Sequence, residues 1–147
     1  MPATNAYYNV EVIQFWRGQR APGRPYPLHW AIYIPTGPGI GNTYEILGNI
    51  DTFTINFRRN QPHQNTHAWR GSFLVCRLPI HQLAQFETLL ATVPVMRNDQ
   101  RWNCQNWVWD GLRCIRQQGF QISREITLVT LQAQMYNLLE DWENGDI

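Results

Sequence analysis

An α+β fold is predicted by the order in which two hydrophobic patterns occur along the chain. Period-two and all-apolar runs fill the first half, and apolar residues at helical spacing fill the last third. With 147 residues and 44% hydrophobic content there is material for one good core. The expectation is a single domain over residues 1–147, with an antiparallel sheet of about five strands packed against about three helices.

Each element has its own warrant. From Tyr7 to Trp16, Tyr8, Val10, Val12 and Gln14 alternate with Asn9, Glu11, Ile13 and Phe15, which reads as a strand. Gly18 to Pro27 is rich in Gly, Pro and Arg and reads as a loop. Leu28 to Ile34 is almost wholly apolar, as in a strand covered on both faces. Pro35-Thr36-Gly37-Pro38-Gly39 breaks it, and Thr43 to Leu47 resumes as the partner of a hairpin. Asp51 to Phe57 and Ser72 to Leu78 are further strands, separated by an exposed polar loop from Arg58 to Arg70.

Pro79 then opens a helix bearing Ile80, Leu83, Phe86, Leu89 and Leu90, which Val93-Pro94-Val95 ends. Asn103 to Gln118 is a second helix, with Trp107, Val108, Leu112 and Ile115 on one side and Gly119 as its stop. A third runs from Glu125 to Trp142 along Leu128, Leu131, Met135, Leu138 and Leu139.

Composition narrows the function. Twelve basic and eleven acidic residues leave a net charge of +1, so nucleic acid is not an expected partner. All the basic residues are arginine, which excludes a lysine Schiff base and a phosphate-loop lysine. The N-terminal segment does not read as a secretory signal, and no run approaches the ~20 apolar residues of a membrane span. Cys76, Cys104 and Cys114 are three in number and lack C-x-x-C spacing, so neither a disulfide scaffold nor a structural zinc site is expected. His63 and His67 stand four apart but in a polar loop after Pro62, a poor setting for a metal pair. No cofactor is expected, and the thiols fit a reduced, cytoplasmic setting.

The chemistry concentrates at Trp102-Asn103-Cys104-Gln105-Asn106-Trp107-Val108. Asn103 is a good helix cap, which puts Cys104 in the first turn. There the helix dipole favours thiolate, and free N–H groups can hold an oxyanion. His29, at the mouth of an apolar strand, is the candidate base. Glu45, on the paired strand, is the candidate group to orient it. Each has a plainer alternative: a buried packing cysteine, a hydrogen-bonded core histidine, an outward-facing strand carboxylate. Cys76 and Cys114 lie within elements and read as packing residues.

Arg24-Pro25-Tyr26-Pro27-Leu28-His29-Trp30-Ala31-Ile32-Tyr33 resembles the histidine strand of the lecithin:retinol acyltransferase-like proteins. These are circularly permuted relatives of the NlpC-type cysteine peptidases in the papain-like superfamily. Asn103-Cys104-Gln105-Asn106-Trp107-Val108 is similar to their Asn-Cys helix start, and His29 before Cys104 agrees with the permuted order. The chain also resembles a group of small uncharacterised fungal proteins with a His-Trp-Ala strand and a Trp-Asn-Cys helix start. The matching pieces span residues 24 to 118 as short motifs.

The resemblance implies a circularly permuted papain-like fold, with Cys104 as nucleophile and His29 as base. The third polar position, commonly histidine in those proteins, falls on Glu45. Tyr26 stands where the acyltransferase-like proteins carry an aromatic, and Trp30, Tyr44, Trp102 and Gln105 complete the expected substrate-binding set. Arg24, Arg58 and Arg101 are candidates for holding a substrate carboxylate. The hydrophobic C-terminal anchor of the lipid-acting members has no counterpart in the acidic segment from Glu140 to Ile147, so no stable membrane attachment is expected.

The leading expectation is thus a cysteine-dependent hydrolase, or an acyl or peptidyl transferase. It would act through a thioester on a soluble amide, ester or thioester, and the partner would be a small molecule or peptide. The alternative is an inactive papain-like binding module with a tryptophan-lined groove. The chain would be a monomer or a homodimer formed through the C-terminal helix.

Overall fold

The computed structural model describes residues 6–62 and 67–147. The chain forms an antiparallel sheet with helices against one face, so the α+β expectation holds. The sheet strands are β1 (Tyr7–Phe15), β4 (His29–Gly37), β5 (Ile40–Leu47), β6 (Thr54–Pro62) and β7 (Trp69–Pro79). A small hairpin of β2 (Gln19–Ala21) and β3 (Arg24–Pro25) occupies part of the expected first loop. After a 3-10 turn at Ile80–Gln82 come α1 (Leu83–Ala91), α2 (Cys104–Gln117) and α3 (Leu128–Glu143).

The five strands lie in the order β6-β5-β4-β1-β7, every pair antiparallel. Alternation decides which residues meet the helices. Val10, Val12, Trp30, Ile32, Ile34, Tyr44 and Ile46 point into one core with Phe86, Leu90, Trp107, Leu112 and Leu131 from the three helices. Residues of the other parity, Ile13, Ala31 and Tyr33, form a smaller cluster on the opposite face. α2 packs on β4 and β5, α3 on β7, and α1 on α2. The approach of α1 to α2 is close at Gly111, where a Cβ would stand 2.9 Å from Leu90 Cδ2.

Several strands run longer than the sequence patterns indicate. β4 continues through Pro35 because β1 pairs with it only from His29 to Tyr33. Beyond that point no described residue pairs with β4 on that side, so the missing N–H of Pro35 breaks no ladder seen there. The turn waits for Pro38-Gly39, where Gly39 takes a φ of 71°. The described part of the polar segment expected as a loop from Arg58 to Arg70 is mostly strand: β6 pairs with β5 as far as Pro62, and β7 has begun by Trp69. Polar composition misled because this part of β6 is an exposed edge. His63 lies outside the described residues, and His67 is exposed in a turn.

The helices follow their signals closely. Asn103 caps α2 with a reciprocal capping box to Asn106, and Thr127 caps α3 in the same way with Thr130. Gly119 ends the α2 region with a φ of 96°. Among the described residues, no helix is long and apolar enough to cross a membrane. All three cysteines are free.

Candidate active site

Three elements converge at one end of the sheet. His29 opens β4, opposite Phe15, which closes β1. The β4–β5 register sets Ile32 against Tyr44, and so places Glu45 opposite Ala31 and diagonal to His29 on the same face. The capping box starts α2 at this end and fixes Cys104 as its first residue. Cys104, His29 and Glu45, far apart in sequence, therefore share one cavity of about 450 Å³.

Hydrogen bonding organises the three side chains in a row. His29 Nε2 meets Glu45 Oε1 at 2.7 Å, which leaves the other ring nitrogen for the thiol. The second carboxylate oxygen of Glu45 accepts from Arg58 Nη2 at 2.9 Å. Glu45 is buried, and these cations answer the cost of holding its charge there. On the other side of the ring, the His29 imidazole is hydrogen-bonded to Cys104. As a thiol, Cys104 Sγ donates to Leu28 O at 3.8 Å; as a thiolate it is served by the Trp30 N–H. Gln105 Nε2 donates to the same Leu28 carbonyl at 3.0 Å, so that oxygen keeps a partner in either state.

The charges respond accordingly. Burial opposes an imidazolium, but the hydrogen bonds with Cys104 and Glu45 outweigh it and raise His29 to about 9. Burial likewise opposes a Cys104 thiolate. The His29 hydrogen bond and charge, the Trp30 N–H and the Arg17 charge outweigh that burial and hold the thiol below its usual range. Burial pushes Glu45 up, and His29 and Arg58 together bring it below the ordinary carboxylate value. All three shifts favour the charged forms, a thiolate beside an imidazolium beside a carboxylate. Such a row can present a nucleophile and hold a proton for a leaving group. The other two cysteines have no such setting; burial pushes Cys76 up to about 12.

The expected substrate-binding set fares differently. Trp30 and Tyr44 point to the helix side and are buried in the core, because their parity is opposite to that of His29 and Glu45. The Tyr44 hydroxyl donates to Glu87 Oε2 at 2.6 Å, which ties β5 to α1. Tyr26 is exposed, with the Arg20 guanidinium 5.4 Å from its ring centre, and does not line the cavity. Trp102 sits one layer back, edge-on to the lining residue Phe53 and donating to Asp110 Oδ2 at 3.2 Å. Gln105 acts on the backbone ahead of His29, as described above. Of the three arginines considered for a carboxylate, Arg24 and Arg101 are absent from the lining, and Arg58 is engaged by Glu45.

The cavity is instead lined by Phe15, Trp16 and Arg17 from the end of β1, by Phe53, and by Asn56 on β6 opposite Glu45. None of these stood out in the sequence. Phe15, Trp16 and Arg17 share one signal, β1 itself, whose end reaches His29 only if β1 pairs with β4. Among the described residues, no group of three His, Cys, Asp or Glu side chains is arranged to hold a metal ion.

Comparison with curated proteins and with solved structures returns no match. Residues 18–121, a span that includes His29, Glu45 and Cys104, match the model of a family of unknown function, DUF6540, and the chain belongs to that family.

Proposed function

We propose that the protein is a cysteine-dependent hydrolase or acyl transferase that works through a thioester, in the manner of a permuted papain-like enzyme. The observation that carries this reading is the hydrogen-bonded row Cys104–His29–Glu45 opening into a cavity. In the first step the Cys104 thiolate attacks a carbonyl carbon, forming a C–S bond and an oxyanion. The Cys104 backbone N–H, at the positive end of α2, faces this developing charge. His29 then gives its proton to the departing amine, alcohol or thiol, and the bond to that group breaks. In the second step neutral His29 takes a proton from water, or from an acceptor amine or alcohol. The attack of that oxygen or nitrogen releases the acyl group and restores the thiolate. The Gln105 amide is held on Leu28 O and Tyr26 lies off the cavity, so neither is assigned as a second oxyanion donor.

The test is the rate of iodoacetamide labelling of Cys104 from pH 5 to 9, followed on its own peptide. The expected result is fast labelling well below pH 8 in the native protein, slowed by about tenfold or more in His29→Ala at pH 6. An ordinary thiol profile, rising only towards pH 9 and unchanged by the substitution, would sink the catalytic reading. That outcome would favour a ligand-binding module built on the same cavity.

A further inference from the structure

Resting on the Cys104 nucleophile proposed above, we infer that the cavity takes acyl substrates carrying a carboxylate close to the scissile carbonyl, with Arg17 as the carboxylate's counter-ion. The charges around the cavity do not balance. Cys104 thiolate and His29 imidazolium cancel, and Glu45 is answered by Arg58 at 2.9 Å. Among the described residues Glu45 is the single acidic one in the lining, and Arg17 is left over. Among the described residues Arg17 makes no ion pair, yet its charge reaches the Cys104 sulfur. A cation placed this way meets no carboxylate among the described residues. It can meet one from a substrate whose carbonyl lies against Cys104.

The remaining walls specify the rest of the molecule. Phe15, Trp16 and Phe53 give the cavity an apolar and aromatic side, next to the Arg17 rim. A carboxylate with an apolar side chain and an adjacent acyl group satisfies both surfaces at once. A neutral lipid chain would gain nothing from the exposed Arg17, which water already solvates, and a polyanion would meet a single spare charge.

Two small alkylating agents of nearly equal size separate charge from reactivity. Labelling of Cys104 by iodoacetate and by iodoacetamide is measured in the native protein, in Arg17→Gln and in Arg17→Lys. The ratio of the two rates is compared, because any change in thiolate fraction cancels within it. The ratio is expected to fall about threefold to tenfold in Arg17→Gln, consistent with one partly screened charge. It should stay near the native value in Arg17→Lys. N-acetylphenylalanine should slow iodoacetamide labelling of native Cys104 more than its neutral amide does, and that difference should vanish in Arg17→Gln. An unchanged rate ratio, or equal protection by acid and amide, overturns the inference. Failure of the nucleophile reading looks different: both reagents then label slowly in the native protein, while the ratio still reports whether the cavity prefers an anion.

Discussion

Glu45 is where sequence, burial and chemistry meet at the scale of a single residue. A carboxylate 3% exposed beside Tyr44 and Ile46 is costly unless cations hold both its oxygens, as His29 and Arg58 do. Its charge is also one reason that His29 retains a proton up to about 9. Glu45→Gln keeps a hydrogen-bonding group of the same shape but removes that charge. Acyl transfer should then fall by at least about tenfold, within the range a general acid–base group supplies. The pH profile gives the diagnostic. In the native protein the acid limb should follow the lowered Cys104 thiol, and the alkaline limb loss of the His29 proton near 9. Removing the carboxylate moves the alkaline limb down, towards the 6.5 of an unperturbed imidazole. An alkaline limb that stays in place would mean that Glu45 only packs.

At the scale of the element, α2 turns a common helix start into a positioned thiol. Asn103 accepts from the Gln105 N–H at 2.9 Å, and its own N–H donates to Asn106 Oδ1 at 2.9 Å. Asn103→Ala removes one half of this box and should cost about 1 kcal/mol of stability. Because the box also fixes where the first turn begins, Cys104 labelling at pH 6 should slow by more than that loss of stability explains. Melting and labelling measured together check this, and a variant that melts lower yet labels at the native rate would separate the cap from the site. Helices of this kind are legible in sequence because their ends are written locally, as in Asn103 and Gly119, although α3 begins after its Thr127 cap and not at the expected Glu125. The strands are less so. Pro35 reads as a stop until β1 is known to pair no further than Tyr33, and the polar residues of β6 read as loop until β5 is known to lie beside them. The same difference divides the site. Cys104 is visible from its cap, and the hairpin puts Glu45 on the strand beside His29, but only the β4–β5 register turns the two towards each other. Arg17 and Trp16 depend on β1 lying beside β4, a long-range pairing that no local pattern encodes. Trp30 and Tyr44 were misassigned for a related reason: adjacency to a site residue along a strand puts a side chain on the other face.

At the scale of the whole molecule, the parts that build the site are inseparable from parts outside the family match. That match covers residues 18–121, whereas β1 lies before it and α3 after it. Yet β1 is the strand between β4 and β7, and it supplies Phe15, Trp16 and Arg17 at or just beyond its end. α3 closes the same core as α2: Leu131 and Met135 are buried in one cluster with Trp107 and Leu112. Gln14 adds a polar tie, donating from β1 to Met135 O at 2.7 Å and to Arg70 O at 2.9 Å. One shared core implies one cooperative unfolding transition. Leu131→Ala, 1% exposed in the native chain, should therefore lower global stability by about 2–5 kcal/mol. The loss should appear equally in tryptophan fluorescence and in the exposure of Cys104 during urea unfolding. Two separated transitions in that experiment, with Cys104 protected after α3 has been lost, would show that the site stands on β4, β5 and α2 alone. Coincident curves would make β1 and α3 as necessary to the nucleophile as the strand that carries His29.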